Sequence, residues 1–127
     1  MTSYLLDSDI LMDFFKKKEE AVDLITKLID KGNLFTSILS VAELRAGWSK
    51  KQAEFFLQRF YNLVEIKNIT KEIAELAGKF RWEYKERGIT LPTIDTLIAA
   101  TAITEDCQLV TRNKKDFPMP QLKLYPI

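Results

Sequence analysis

A parallel β-sheet covered by helices, the α/β class, is the fold this sequence predicts, on three observations. Short apolar runs alternate with helical patterns along the chain, which is the rhythm of strand–helix units. The 127 residues are 46% hydrophobic and 29% charged, the composition of one globular domain. No low-complexity tract, Gly/Ser linker or repeat interrupts them, and Pro92, Pro118, Pro120 and Pro126 all lie in the last third. Residues 1–127 are therefore expected to form a single domain.

Taken in order, Tyr4-Leu5-Leu6 reads as a short buried strand, with Asp7 and Asp9 where that strand should end. A helix is predicted from about Glu19 to Lys31, because Ala21, Val22, Leu24, Ile25, Leu28 and Ile29 share one face at 3.6-residue spacing. Gly32 then offers a left-handed C-terminal cap. Leu34-Phe35-Thr36 is the second strand. Ser40 to Glu43 matches the capping box S-x-x-E at the start of a helix with Val41, Leu44 and Trp48 on one side. A further, aromatic helix runs from about Lys50 to Tyr61.

Leu63 to Ile66 is the third predicted strand. Thr70 can cap a long helix whose inner face is Ile73, Leu76, Ala77, Phe80 and Tyr84 and which ends at Gly88. Thr90 to Thr93 is a turn into a helix over Ile94–Glu105, apolar enough through Leu97-Ile98-Ala99-Ala100 to be buried on most sides, with Asp95 in its first turn. Gln108 to Thr111 is a fourth strand, Arg112 to Phe117 a polar loop, and Leu122 to Tyr125 a short last strand placed at an edge by its flanking prolines.

Composition removes several chemistries. One cysteine, Cys107, and no histidine exclude a disulfide scaffold, a zinc site of the usual Cys/His kind and any Cys-His or Ser-His pair. Catalysis must run on carboxylates, hydroxyls, amines or metal-bound water. Nineteen basic against eighteen acidic residues leave a net charge of +1, so the chain is no polycation, although a local basic rim is compatible with that balance. No stretch has the apolar length of a membrane span, and acids interrupt what would be a leader's apolar region, so no membrane partner and a cytoplasmic location are expected.

In open α/β sheets, ligands bind beyond the carboxyl ends of the strands, which makes acids at strand ends and helix starts the informative ones. Asp7, Glu43, Asp95 and Asp116 qualify, with Asp9 accompanying Asp7. Each also has an ordinary structural role: Asp7 or Asp9 capping the following helix, Glu43 completing the box with Ser40, Asp95 favouring a helix start, Asp116 closing a turn. Those roles do not explain why acids recur at the same end of successive units. If they converge, two carboxylates about 4 Å apart repel by roughly 4 kcal/mol at an effective dielectric of 20, so protons or cations must lie between them. An all-oxygen donor set selects a hard cation, magnesium or manganese, and one or two such ions suit phosphoester hydrolysis. Beside Asp116, Thr111 and Asn113 can orient carboxylates, while Arg112, Lys114 and Lys115 are candidate phosphate contacts or simply a solvated loop.

The order LLDSDIL, SxxELRAG, LPTIDTLIAATAI and LVTRNKKDF, running from Tyr4 to about Tyr125, resembles the PIN-domain ribonucleases, in particular the VapC-like toxins of toxin–antitoxin modules. That resemblance implies a three-layer α/β/α sandwich with a mainly parallel sheet of about five strands. It aligns Asp7, Glu43, Asp95 and Asp116 with the family's acidic quartet and implies magnesium- or manganese-dependent endonucleolytic cleavage of RNA by water, leaving 5′-phosphate and 3′-hydroxyl ends. It further implies a homodimer and a small antitoxin partner whose tail enters the groove beside the acids. Ser8 and Asp9 stand where these toxins commonly show Thr and Asn: Ser8 keeps the hydroxyl, and Asp9 adds a negative charge that bears on metal affinity or preference.

Two other functions compete. An apolar strand followed by Asp-x-Asp also resembles the haloacid-dehalogenase phosphatases, with Asp7 as nucleophile and Asp9 as general acid, but no later Gly-Asp-x-x-x-Asp motif follows and Glu43 is left without a role. A non-catalytic module that only docks RNA or protein leaves the full set of acids unexplained. Phe55, Phe56, Phe60 and Tyr61 crowd one helix beyond what a single stripe can bury, which calls for a dimer or antitoxin groove, or a larger core. Trp48 and Trp82 are expected mainly in packing, with base stacking as the alternative.

Overall fold

The computed structural model describes residues 1–127. The elements in order are β1 (Thr2–Leu6), α1 (Ser8–Phe15), α2 (Glu19–Lys31), β2 (Gly32–Ser37), α3 (Ile38–Gly47), α4 (Lys50–Leu63), β3 (Glu65–Lys67), α5 (Lys71–Lys85), α6 (Thr93–Thr104), β4 (Gln108–Val110) and a short 3₁₀ turn at Lys114–Asp116. No helix is long and apolar enough to cross a membrane.

The sheet has four strands in the order β3-β2-β1-β4, every pair parallel. The expected fifth strand is reduced to a single parallel bridge between Leu109 and Leu124, with Leu109 donating to the Lys123 carbonyl and Tyr125 donating to the Leu109 carbonyl, both at 2.8 Å. Pro120 and Pro126 bracket the segment and, lacking N–H donors, limit how far it can pair. It does lie at the sheet edge, beside β4.

Alternation along β1 builds the three layers. Tyr4 and Leu6 face a core shared with Ile10, Leu11 and Phe15 of α1, Ile25 and Leu28 of α2, Leu44 of α3 and Phe60 of α4. Leu5 faces the opposite way, onto Phe80 and Tyr84 of α5 and Ile98, Ala99 and Ala102 of α6. Four helices thus cover one face and two the other, and β1 is buried on both, as a central parallel strand must be.

Three local expectations are corrected. The stretch from Ser8 to Phe15 forms a helix of its own, and the chain reverses into α2 through Lys17 at φ 60°, a left-handed conformation a non-glycine residue adopts at a cost of about 1–2 kcal/mol. Gly32 is not a left-handed cap: it opens β2 in an extended conformation. Glycine is needed there because a Cβ would collide with the Thr2 carbonyl of the paired strand. Gly32→Ala is therefore expected to cost about 1–3 kcal/mol through overpacking, seen as a lower urea midpoint at unchanged m-value. The third correction is the start of α3, capped by Ser37, whose hydroxyl accepts from Leu39 N at 3.1 Å. Ser40 sits inside the helix, fully buried and without a hydrogen-bond partner, so the box with Glu43 does not form. A capping box forms one helix later, between Ser49 and Gln52. Gly88, by contrast, ends the α5 turn at φ 79° where glycine was expected.

Candidate active site

β1 is the point where the strand order reverses: the chain proceeds to β2 and β3 on one side and returns to β4 on the other. The crevice at the carboxyl end of such a strand is where open α/β sheets bind ligands. Asp7 stands there. Its main-chain N–H donates to the Val110 carbonyl at 3.0 Å, which stitches the end of β1 to the end of β4. One carboxylate oxygen, Oδ1, accepts from Ser8 N at 2.8 Å and caps α1. The other accepts from the hydroxyl of fully buried Thr111 at 2.8 Å. Asp7 thus fulfils its structural alternative, a helix cap, and also faces the crevice end of β4.

The remaining acids come from four different places. Asp9, in the first turn of α1, uses Oδ1 for Ile10 N at 2.7 Å and Oδ2 for Arg112 N at 3.0 Å, with the Thr111 hydroxyl at 3.4 Å. Glu43 extends from α3 and accepts from the Ser8 hydroxyl at 3.1 Å. Since the box with Ser40 is absent, this contact across to α1 is what orients it. Asp95 lies in the first turn of α6, where Pro92 occupies the cap position without a side-chain hydrogen bond, so Asp95 does no capping. Asp116, at the end of the 3₁₀ turn, accepts from Asn113 Nδ2 at 2.8 Å, and Asn113 N in turn donates to Thr111 Oγ1 at 3.1 Å.

Electrostatics join the five. Burial, then repulsion from Asp9 and to a lesser degree Glu43, pushes the Asp7 carboxyl up to about 7, against the pull of the Thr111 and Ser8 hydrogen bonds. Asp95 is also raised, first by burial and then by Asp116, Glu43 and Asp9. None of the five forms a salt bridge with Lys or Arg; the ion pairs of the chain lie at Asp13, Glu83, Glu105 and Asp106. No three acids converge tightly enough to hold an ion between them as they stand. The site is a concentration of negative charge with no protein cation to offset it, and its oxygen-only donors fit a hard divalent ion. Cys107, the one thiol in the chain, is buried in the core on the α5–α6 face, its pKa pushed up to about 11 mainly by burial.

Of the candidate phosphate contacts, Lys115 has no polar partner, Lys114 Nζ donates to the Ile127 carbonyl at 3.2 Å, and the Arg112 guanidinium is engaged by Asp13. Asp13 was not singled out by sequence, although a buried acid among Ile10, Leu11, Phe14 and Phe15 is the available signal. Of the aromatic residues, Trp48 and Phe60 are core, whereas Trp82 is 63% exposed. Phe55 and Phe56 line a groove of about 560 Å³ with Phe14, Phe15, Val22 and Leu63, edged by Lys17 and Arg59.

Residues 4–119 match the family model described as PIN domain. Ribonuclease VapC1 of Methanocaldococcus jannaschii is 34% identical over 113 residues, 89% of this chain and 77% of that protein. Ribonuclease VapC19 of Mycobacterium tuberculosis is 33% identical over 116 residues, 91% of this chain and 92% of its own. Among solved structures, VapBC2 from Rickettsia felis, bound to a DNA fragment from its promoter, superposes with a TM-score of 0.87 at 28% identity, covering 98% of both chains.

Proposed function

Because the chain belongs to the PIN-domain family, we propose that it is the toxin of a toxin–antitoxin pair, an endoribonuclease that hydrolyses RNA phosphodiester bonds with a magnesium or manganese ion held by Asp7, Glu43, Asp95 and Asp116, Asp9 contributing. The observation that carries the reading is the charge balance of the crevice: five acids, two of them with raised pKa values, and no Lys or Arg paired with any of them. The ribonuclease names of the relatives VapC1 and VapC19 support the reaction class.

A hard divalent ion bound there would supply Lewis-acid activation of the attacking water and neutralisation of charge at the phosphate. The protein's own part is placement. Ser8 N and Thr111 hold the two oxygens of Asp7 in fixed directions, Ser8 Oγ turns Glu43 toward the same opening, and Asn113 holds Asp116. Such fixed orientation limits how far the ligands must move as charge develops on the phosphate. Lys115, whose ammonium has no protein partner, contacts a phosphate flanking the scissile one, and Lys114 does so once its ammonium leaves the Ile127 carbonyl. Products carry 5′-phosphate and 3′-hydroxyl ends. In this reading residues 1–127 are one domain acting in the cytoplasm as a homodimer. The antitoxin seats an apolar segment with acidic flanks in the aromatic groove edged by Lys17 and Arg59.

The phosphatase alternative is not favoured: the family match lies elsewhere, and no later Gly-Asp-x-x-x-Asp motif accompanies Asp7 and Asp9. Incubation of the purified chain with labelled transfer, ribosomal and messenger RNA tests the proposal. Cleavage is expected with Mg²⁺ or Mn²⁺, stopped by chelator and restored by added metal, with products that ligate through a 5′-phosphate. Cleavage indifferent to chelator would refute the metal-dependent mechanism, and none on any RNA class would leave only a docking module.

A further inference from the structure

The structure assigns a role to two residues outside the carboxylate pocket: we propose that Asp13 is a positioning residue that captures the Arg112 guanidinium, fastening the loop of Asp116 to α1 while keeping a positive charge out of the pocket. The proposal rests on the reading of that pocket as the RNA-cleaving centre.

Asp9 and Asp13 are four residues apart on α1 and so lie on one face, a turn from each other. Arg112 engages both. Its main-chain N–H donates to Asp9 Oδ2 at 3.0 Å, and its guanidinium is ion-paired with Asp13 Oδ2. Asp13 Oδ1 faces Lys18 Nζ at 3.3 Å, so each oxygen of this 6%-exposed carboxylate has its own cation. Thr111 precedes Arg112 and binds Asp7; Asn113 follows it and binds Asp116. Residues 111–113 are therefore tied to α1 at Asp7, Asp9 and Asp13, and only the tie to Asp13 does not consume the hydrogen-bonding capacity of a pocket acid.

The same geometry decides where the Arg112 charge goes. Glu19 and Glu20 line the same surface pocket as Asp13 and Arg112, but the Arg112 backbone is fixed beside Asp9, one turn along the helix, so a guanidinium released from Asp13 can also turn to Asp9. A guanidinium there would occupy acceptor sites that a divalent ion needs and would neutralise part of the field that draws it in. Asp13, buried and doubly paired, holds the side chain away instead. This role differs from contact with substrate, since a guanidinium bound to Asp13 is not free to take a phosphate.

Four proteins separate the possibilities: wild type, Asp13→Asn, Arg112→Gln and the double variant. Mn²⁺ affinity by calorimetry and steady-state cleavage of a labelled RNA are the readouts. Asp13→Asn is expected to weaken Mn²⁺ binding and lower kcat by about 10–100-fold, the range for groups that orient metal ligands, with KM within about twofold. Arg112→Gln should lose less, and the double variant should match Arg112→Gln, because removing the guanidinium relieves what Asp13→Asn sets loose. Additive losses in the double variant, or wild-type Mn²⁺ affinity in Asp13→Asn, would overturn the proposal. So would a raised KM in Arg112→Gln at unchanged kcat, with the salt dependence weakened by about one phosphate contact, since that is the signature of direct RNA binding. Should Asp13→Asn fail to fold, the KM against kcat split and salt dependence of Arg112→Gln still decide. A wild-type protein without metal-dependent cleavage refutes the proposed function and not the capture of Arg112, which the Mn²⁺ series tests separately.

Discussion

Asp7→Asn and Asp95→Asn are each expected to lower metal-dependent RNA cleavage by at least ~100-fold while leaving the far-ultraviolet circular dichroism of the chain unchanged. The loss is large because these side chains come from the two halves of the fold, Asp7 from the sheet centre and Asp95 from the opposite helical layer, so neither can replace the other at the crevice. The fold should survive because asparagine keeps what the structure needs. Its side-chain carbonyl can still accept from Ser8 N to cap α1, and Thr111, whose hydroxyl rotates freely, can accept where it now donates. Asp95 makes no cap to lose. Initial rates with saturating Mn²⁺ measure the effect, and either variant cleaving at the wild-type rate would remove that residue from the proposed centre.

The second large effect is on stability and has the opposite sign. Without divalent ions, Asp7→Asn should melt higher than the wild type at neutral pH. The native Asp7 carboxyl holds its proton up to about pH 7, whereas the unfolded chain releases it near 3.8. Between those values the native state binds more protons, so stability falls as pH rises, and the penalty is complete above about pH 7 and absent below about pH 4. At 1.36 kcal/mol per pH unit the full penalty is about 4 kcal/mol. Asparagine carries no such charge, so its advantage should vanish in acid and reach about 12–20 °C at pH 7.5, at roughly 3–5 °C per kcal/mol for a chain of this size. Mn²⁺ should invert the ranking by stabilising the wild type alone. Melting curves across pH 4–8 with and without Mn²⁺ test both halves; an Asp7→Asn variant no more stable than the wild type at pH 7.5 would mean the charge at Asp7 is already compensated.

Much of this arrangement is legible in the sequence, for identifiable reasons. Glu19–Lys31 and Lys71–Lys85 announce themselves because a solvent face and a buried face alternate with helical period, and Thr93–Thr104 because it is apolar nearly all round. Acids following strands point to the crevice because chain direction in a parallel sheet delivers every strand end to the same rim. What sequence conceals is pairing between distant segments. Ser8–Phe15 hides as a helix because Asp9 and Asp13 break its apolar pattern, and they do so to reach Thr111 and Arg112. Ser40 and Glu43 have the spacing of a capping box, but the strand end at Ser37 claims the cap first and leaves Glu43 to Ser8. Gly32 looks like a helix terminator because its real constraint, the Thr2 carbonyl, belongs to another strand.

The Thr111–Asp7 hydrogen bond links residues 104 positions apart, and Asp116 lies further along still. Such pairings are among the last a chain can make, since the intervening segments must first be in place. During synthesis, a growing polypeptide carries Asp7 and Glu43 long before it carries Asp116, so the full set of crevice acids exists only once nearly all of the domain has been made.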